Sequence, residues 1–261
     1  MNLTGRAKAA CYASLATLLH VAVIQTGVFD SVMTELGFDT YAEEPILFTF
    51  LPFQVMPMNT LINFGYFLVG LCWYNTFIKL DDFIGESFCW YSMIYCFIQL
   101  VRMLYQTQRS AVLDQWVTTT IFCHVLVWII SVPCDGPVSR FLSKLHPAVI
   151  VLVSFMSYFA SLISDIGFDV ALVVHIVLVI CVGIEALKAR GDAQSRSTFY
   201  RAILCCVGFV VLKLADLPLR DYWTPNCISG HFLSKICDVA QIHYAAKLVW
   251  SLNLVQKIKS K

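Results

Sequence analysis

Charge is what this chain has least of. Only 13% of its residues are Asp, Glu, Lys or Arg, against about a quarter in an ordinary globular domain. With 59% hydrophobic residues and a mean hydropathy of +0.73, that scarcity excludes a soluble fold. A net charge of +1 gives no basic surface for nucleic acid. Neither a CxxC pair nor a Cys/His spacing of the metal-binding kind occurs, so no metal and no cofactor are expected. Internal repeats and low-complexity tracts are also missing. Without repeats, or broken helices paired across two halves, a transporter has little support. The 188–198 stretch is the only linker-like piece, so residues 1–261 read as a single polytopic membrane domain.

What is present is a series of long apolar runs. A bilayer-crossing helix needs about 20 residues. The runs fall at 9–29, 57–78, 87–107, 112–132, 147–165, 169–188, 198–218 and 230–253, giving an all-α integral membrane protein of eight spans. The first run has no small-x-small cleavage site before Gln25-Thr26-Gly27 and reads as an uncleaved span. Segment 46–56 is interrupted by Pro52 and is too short to cross; it reads as interfacial or as a lead into the second span. Eight spans put Arg6, Lys8, Lys79, Arg140, Lys144, Lys188, Arg190, Arg196, Arg201 and the terminal Lys257, Lys259 and Lys261 on one face. The other face receives Arg109, Arg220 and an acidic loop with Asp30, Glu35, Asp39, Glu43 and Glu44. That asymmetry predicts both termini in the cytosol. The Asn2-Leu3-Thr4 sequon would then go unused, and the terminal lysines resemble a retrieval signal of the early secretory pathway, pointing to ER or Golgi membranes. A juxtamembrane basic cluster explains those lysines equally well.

Most of the eleven cysteines lie in apolar runs and read as small apolar fillers. Cys134 and Cys227 fall in loops on opposite faces, where they cannot pair.

The last run carries an unusual polar load. His231, Lys235, Asp238 and then Gln241 or Ile242 follow at spacings of three and four, which makes one helical stripe. A charge at mid-membrane costs at least about 2.5 kcal/mol and normally faces a bundle interior. Arg102, Asp114, Lys213 and Asp216 lie near the ends of neighbouring spans, three basic and three acidic groups when Lys235 and Asp238 are added. They are expected to converge, with Lys213 and Asp216 pairing along their own helix. Asn59 and Asn63, one turn apart, are expected to form interhelical amide hydrogen bonds. The candidate polar chamber is therefore Asn59, Asn63, Gln99, Arg102, Asp114, Lys213, Asp216, His231, Lys235 and Asp238. Two meanings stay open: ion pairs that fix helix register, or a chamber that holds a ligand. The aromatic residues of spans two and three, Tyr66 and Tyr95 among them, read as packing and interface belt.

Several segments carry a family resemblance. Phe29-Asp-Ser-Val, YAEEP at 41–45, MPMN at 56–59, AVLDQW at 111–116, GFVVLKLAD at 208–216 and GHFLSKICDVAQIH at 230–243 are similar to the transmembrane protein 187 family, a vertebrate multi-pass family without an established activity. A more distant resemblance covers spans two to eight. Asn59-Thr60-Leu-Ile-Asn63 and Val112-Leu113-Asp114-Gln115 resemble motifs of the alkaline ceramidases and the wider CREST group of seven-span membrane hydrolases and receptors. This implies a seven-helix CREST-like bundle with one added N-terminal helix. It also implies a zinc site, at whose positions this chain carries Gln99 for a serine, Met103 for one histidine, Asp114 and His231 retained, and Lys235 for another histidine. A catalytic zinc needs three protein ligands and an open position. A thioether is too soft for hydrolytic zinc, and a lysine must first lose its proton. His243, twelve residues beyond His231 along the helix, is too far to take over. The resemblance thus implies a relative that has lost its zinc, with the Lys235 ammonium in the metal's place paired with Asp114, and His231 bonded to Gln99 or Asp114.

Three functions follow: a non-catalytic membrane protein whose chamber binds a lipid, a lipid amidohydrolase with an atypical site, or a structural or trafficking protein. No protein partner is indicated beyond the bilayer.

Overall fold

The computed structural model describes residues 5–47, 54–223 and 228–259. The sequon at Asn2, Pro52, Cys227, Lys261 and the side chains of Arg6, Lys257 and Lys259 lie outside the described residues.

Ten helices account for nearly all of the fold: α1 (Gly5–Gln25), α2 (Pro57–Leu61), α3 (Phe64–Leu80), α4 (Phe83–Tyr105), α5 (Gln108–Ile130), α6 (Pro137–Leu142), α7 (Pro147–Ser157), α8 (Gly167–Arg190), α9 (Ala193–Leu214) and α10 (Gly230–Lys259). The strand pairing among the described residues is one short antiparallel ladder, β1 (Ile46–Leu47) with β2 (Gln54–Val55), where Ile46 faces Val55. Residues 46–47 and 54–55 thus pair ahead of α2, and residues 48–53 lie outside the described residues.

Six of these stretches are long and apolar enough to cross a membrane: Ala7–Gln25, Pro57–Leu80, Phe83–Tyr105, Gln108–Ile130, Gly167–Arg190 and Ala193–Leu214. The expected span at 147–165 is shorter. Its α-helix stops at Ser157 and a 3-10 turn, Tyr158–Leu162, finishes it. At about 1.5 Å per α residue and about 2.0 Å per 3-10 residue, this element reaches about 27 Å, just under the hydrocarbon thickness of about 30 Å. α10 has the length to cross, but its His, Lys, Asp and Gln residues hold its apolarity below that of the six.

The connections are set by local chemistry. Gln106 takes a left-handed backbone (φ 48°) and ends α4. Thr107 then caps α5: its hydroxyl accepts from the Ser110 N–H at 3.3 Å, and Ser110 Oγ accepts from the Thr107 N–H at 3.1 Å. This reciprocal pair satisfies two N–H groups that the first turn leaves unbonded. Asp82 caps α4 through the Gly85 N–H at 3.0 Å and accepts from the indole of Trp128 at 3.0 Å, fixing the start of α4 to the end of α5. Gly70 lets α3 and α4 touch; a Cβ there would stand 2.7 Å from the carbonyl oxygen of Cys89.

The α4–α5 hairpin is the centre of the bundle. α1 and α3 pack on α4, α7 and α8 pack on α5, and α9 with α10 forms a second pair joined to α3. Trp116, Trp128, Tyr66 and Tyr91 are fully buried in this assembly. α1 turns Ala9 and Ala13 inward and Leu15, Leu18 and Leu19 outward, as a peripheral helix in lipid should. Cys89, Cys96, Cys123 and Cys206 are buried as apolar fillers, whereas Cys11 and Cys72 face outward.

Residues 26–47 do not dangle as a loop. They form a strap over the end of the bundle where α4 meets α5 and α9 leads to α10. Phe29 anchors it, edge-on to Trp116 (5.0 Å between ring centroids) and Tyr158 (5.3 Å).

Candidate functional site

The sequence expected one convergent set of charges. The structure divides it into two, one beneath the strap and one at mid-depth.

At mid-depth the bridging residue is Gln99 of α4. Its Oε1 accepts from Lys235 Nζ of α10 at 2.7 Å, and its Nε2 donates to Asp114 Oδ1 of α5. Lys235 and Asp114 are therefore linked through an amide and do not form a direct ion pair. Tyr95 donates to the same Asp114 oxygen at 2.8 Å, and its hydroxyl also meets Thr118 Oγ1 at 2.9 Å. The Lys235 ammonium lies 5.8 Å from the ring centroid of Tyr66 and 5.9 Å from that of Tyr95, within cation–π range. Tyr66 in turn donates to Asp238 Oδ2 at 2.5 Å. One network thus joins α3, α4, α5 and α10, and it contains two carboxylates and one ammonium.

The second set belongs to the strap. Arg102 is buried and donates to Gln106 Oε1 at 2.7 Å and to the Glu35 carbonyl. Asp216 lies just beyond α9 and does not pair with Lys213. Its Oδ2 accepts from the Ala42 N–H at 2.9 Å and its Oδ1 from the His231 N–H at 2.8 Å, so it ties the strap to the first turn of α10. Lys213 points outward, 3.8 Å from Glu35 Oε2, with 43% of its side chain exposed. The expected pair along the helix fails because backbone N–H groups, which have no alternative partner beneath the strap, take both oxygens of Asp216.

Glu43 does the same for α2. Its carboxylate accepts from the N–H groups of Met58 (2.7 Å) and Asn59 (2.9 Å), an acidic cap on a helix start. Burial raises the Glu43 carboxyl above its ordinary range; the two N–H groups oppose that, and the neighbouring charge of Asp216 adds to it. Burial also pushes the Tyr41 phenol up to about 12. At the outer edge, Arg109 forms a forked pair with Asp30 at 3.2 and 3.1 Å, and Arg220 stands 3.9 Å from Glu44.

Two further expectations are corrected here. Asn63 Nδ2 donates to the Asn59 carbonyl at 2.9 Å, and Asn59 Nδ2 meets Met56 Sδ at 4.0 Å. Both NH2 groups are used locally, because α2 and α3 break at Ile62 and leave a carbonyl within reach, while the Oδ1 atoms of Asn59 and Asn63 are buried without a partner. His231 bonds to neither Gln99 nor Asp114. Its ring stands edge-on to Tyr41 at 4.7 Å, and its buried Nε2 has no hydrogen-bond partner.

The zinc positions that the distant resemblance marks do not fit a metal. Lys235 is engaged by Gln99, Met103 packs with Tyr41 and Met56, and His231 faces the Tyr41 ring. No three His, Cys, Asp or Glu side chains among the described residues gather as a metal-holding group.

Beside the mid-depth network lies a cleft between α5, α8, α9 and α10, an open groove with about 80 Å³ of enclosed space. Its wall is mainly apolar, with Val125 and Ile129 of α5, Val179 of α8 and Ala245 of α10 typical. One end is polar, where Tyr95, Thr118, Asp238 and Gln241 reach it. Gln241 Oε1 is buried and unpartnered. The sequence reading missed Tyr66, Tyr95 and Thr118. A signal existed: Tyr95 precedes Gln99 by one helical turn and Thr118 follows Asp114 by one, so both share the faces of the charged residues.

The TMEM187 protein family model matches residues 9–250. Transmembrane protein 187 of Homo sapiens is 34% identical over 247 residues, covering 90% of this chain and 92% of the relative. Transmembrane protein 187 of Bos taurus is 32% identical over 252 residues, covering 93% and 95%. No solved structure matches. A match that runs from the first helix to the last, through the network residues on α3, α4, α5 and α10, means that this multi-pass membrane chain belongs to the transmembrane protein 187 family.

Proposed function

We propose that this protein is a non-catalytic intramembrane lipid-binding protein, built as an eight-span bundle of ceramidase-like arrangement, which holds a lipid chain in the cleft between α8 and α9. The observation that carries this reading is the cleft itself. Its walls come from α8 and α9, helices of membrane-crossing length and apolarity, so it sits at hydrocarbon depth. A concave apolar wall with a few convergent polar groups at one end is the usual form of a small-molecule site. A bundle whose buried charges served only helix register would have no need of such a space beside them. The candidate residues divide accordingly. Asp238 lines the ligand end and Gln99, Asp114 and Lys235 stand behind it in the network, whereas Asn59, Asn63, Arg102, Lys213, Asp216 and His231 hold the strap and the helix starts. Basic residues concentrate at the end opposite the strap, which supports cytosolic termini and an endomembrane location.

Lipid extraction and mass spectrometry of the purified protein test the reading. A lipid should copurify stoichiometrically, and Ala245→Trp, which fills the cleft, should reduce it at least about tenfold while the protein remains folded. Equal lipid content in the two proteins refutes it. The hydrolase alternative requires stoichiometric zinc that chelation removes, together with release of a fatty acid from an amide lipid.

A further inference from the structure

We infer that the cleft selects a single-chain amphiphile with a small ammonium head, which would sit against Asp238 and Gln241. This rests on the lipid-binding reading and names its ligand class. The first argument is depth. Asp238 lies eight residues into α10, Tyr95 ten residues before the end of α4, and Thr118 ten residues after the start of α5. At about 1.5 Å per residue the polar end is therefore about 12–15 Å from the strap end, near mid-membrane. A phosphodiester head at that depth would shed its hydration with no Lys or Arg on the cleft wall to replace it. A single chain would lie along the open groove, whose apolar wall continues from Asp238 to Leu248 along α10, about 15 Å.

The second argument is polarity. At the end of the cleft the unfilled capacity is for accepting hydrogen bonds. Gln241 Oε1 is a buried acceptor without a donor, and the Asp238 carboxylate lines the wall with Tyr66 supplying one of its oxygens. Tyr95 and Thr118 are already committed to Asp114 and to each other. A carboxylate or phosphate head would meet acceptors; a head rich in N–H donors would satisfy them.

The third argument is the balance of groups. Two carboxyl groups, Asp114 and Asp238, stand with one amine, Lys235, in a low-dielectric interior. Lys235 faces Gln99 and is not on the cleft wall, whereas Asp238 is. Arg102, the next cation, is spent on the strap. An ammonium at Asp238 would give that carboxyl a second basic partner through a charge-assisted hydrogen bond, roughly twice as strong as a neutral one.

The test is competition binding with the full-length protein in phosphatidylcholine nanodiscs, using radiolabelled hexadecylamine as probe. Hexadecylamine, hexadecanol and hexadecanoic acid are the competitors. The amine should compete at least about tenfold better than the alcohol, and the acid should be weakest. Asp238→Asn should bring the amine down to the level of the alcohol. Gln241→Leu, which leaves the ionic network in place, should cut the amine's advantage about threefold, so the idea remains testable if the Asp238 variant does not fold. Equal competition by all three heads, preference for the acid, or an amine preference that survives Asp238→Asn overturns the head-group assignment and leaves the lipid-binding reading standing. Displacement of the probe by none of them, with Ala245→Trp retaining as much probe as the parent, sinks both.

Discussion

Asp216 and Asp238 lie 22 residues apart and looked alike in the sequence: each is an acid in an apolar run, three residues after a lysine. In the folded chain they do different work. Asp216 has both oxygens filled by backbone N–H groups, and the strap above it closes the bundle end. Asp238 has a tyrosine on one oxygen and a cleft beside it. A buried charge with its hydrogen-bonding capacity filled is a fastener. One with capacity left over, beside a cavity, is a place for something else to bind. The distinction lies in what surrounds the carboxylate, and the spacing of charges along the chain does not carry it.

The largest expected effect comes from cutting the mid-depth network. Gln99→Leu removes the amide between Lys235 and Asp114, leaving a buried ammonium and a carboxylate each short of a partner. Breaking such an arrangement typically costs about 3–5 kcal/mol, and thermal or denaturant unfolding in a fixed detergent should show a loss of that order. An unchanged midpoint would mean that the network contributes no stability.

Asp216→Ala should cost less, about 1–3 kcal/mol, because it strands two N–H groups and no counter-charge. Its signature is local: hydrogen exchange should accelerate at Ala42 and at His231, and the mid-depth network should be unaffected. If exchange rises equally throughout α10, the two regions are not separable as described.

Glu43→Gln sharpens the comparison through pH. Burial raises the folded-state carboxyl, so the folded protein binds this proton more tightly than the unfolded chain. Glu43 therefore contributes most stability below its unfolded pKa of about 4.3, and the contribution is lost as pH rises through the raised folded value. The glutamine variant should lack that part of the slope in a stability–pH profile. An identical profile would place Glu43 outside the titration. Arg109→Ala should have the smallest effect. Its partner Asp30 is about half exposed, and Arg109 holds that carboxyl below the ordinary range chiefly by hydrogen bonding. Exposed pairs are screened, so no shift in the unfolding midpoint beyond experimental error is expected at physiological salt.

Much of the fold was legible along the chain. Apolar runs marked where the long helices lie, since the bilayer thickness and the helical rise fix their length, but they showed neither α6 nor the break between α2 and α3. The link from α4 to α5 was visible as a short polar gap between two runs. The strap was not legible. Its acidic residues resembled a solvated loop, and the groups that hold the strap down, Arg102 on the Glu35 carbonyl and Asp216 on the Ala42 N–H, lie 67 and 174 residues away along the chain. The candidate residues do not form the single cluster expected of them. Lys213 and Asp216 are close in sequence, but the end of α9 turns one outward and the other under the strap.

What the amino-acid sequence decided alone is that this chain lives in a membrane as a bundle of helices, because too few charges exist to solvate it and the apolar runs match the bilayer. It also decided that polar groups on α10 must turn inward, because lipid cannot solvate them. Which of those groups are satisfied was settled only in three dimensions. A hydrogen bond depends on distances of about 3 Å between atoms far apart in sequence, and only the packing of α4, α5 and α10 brought Gln99 between Lys235 and Asp114 and left Asp238 facing the cleft.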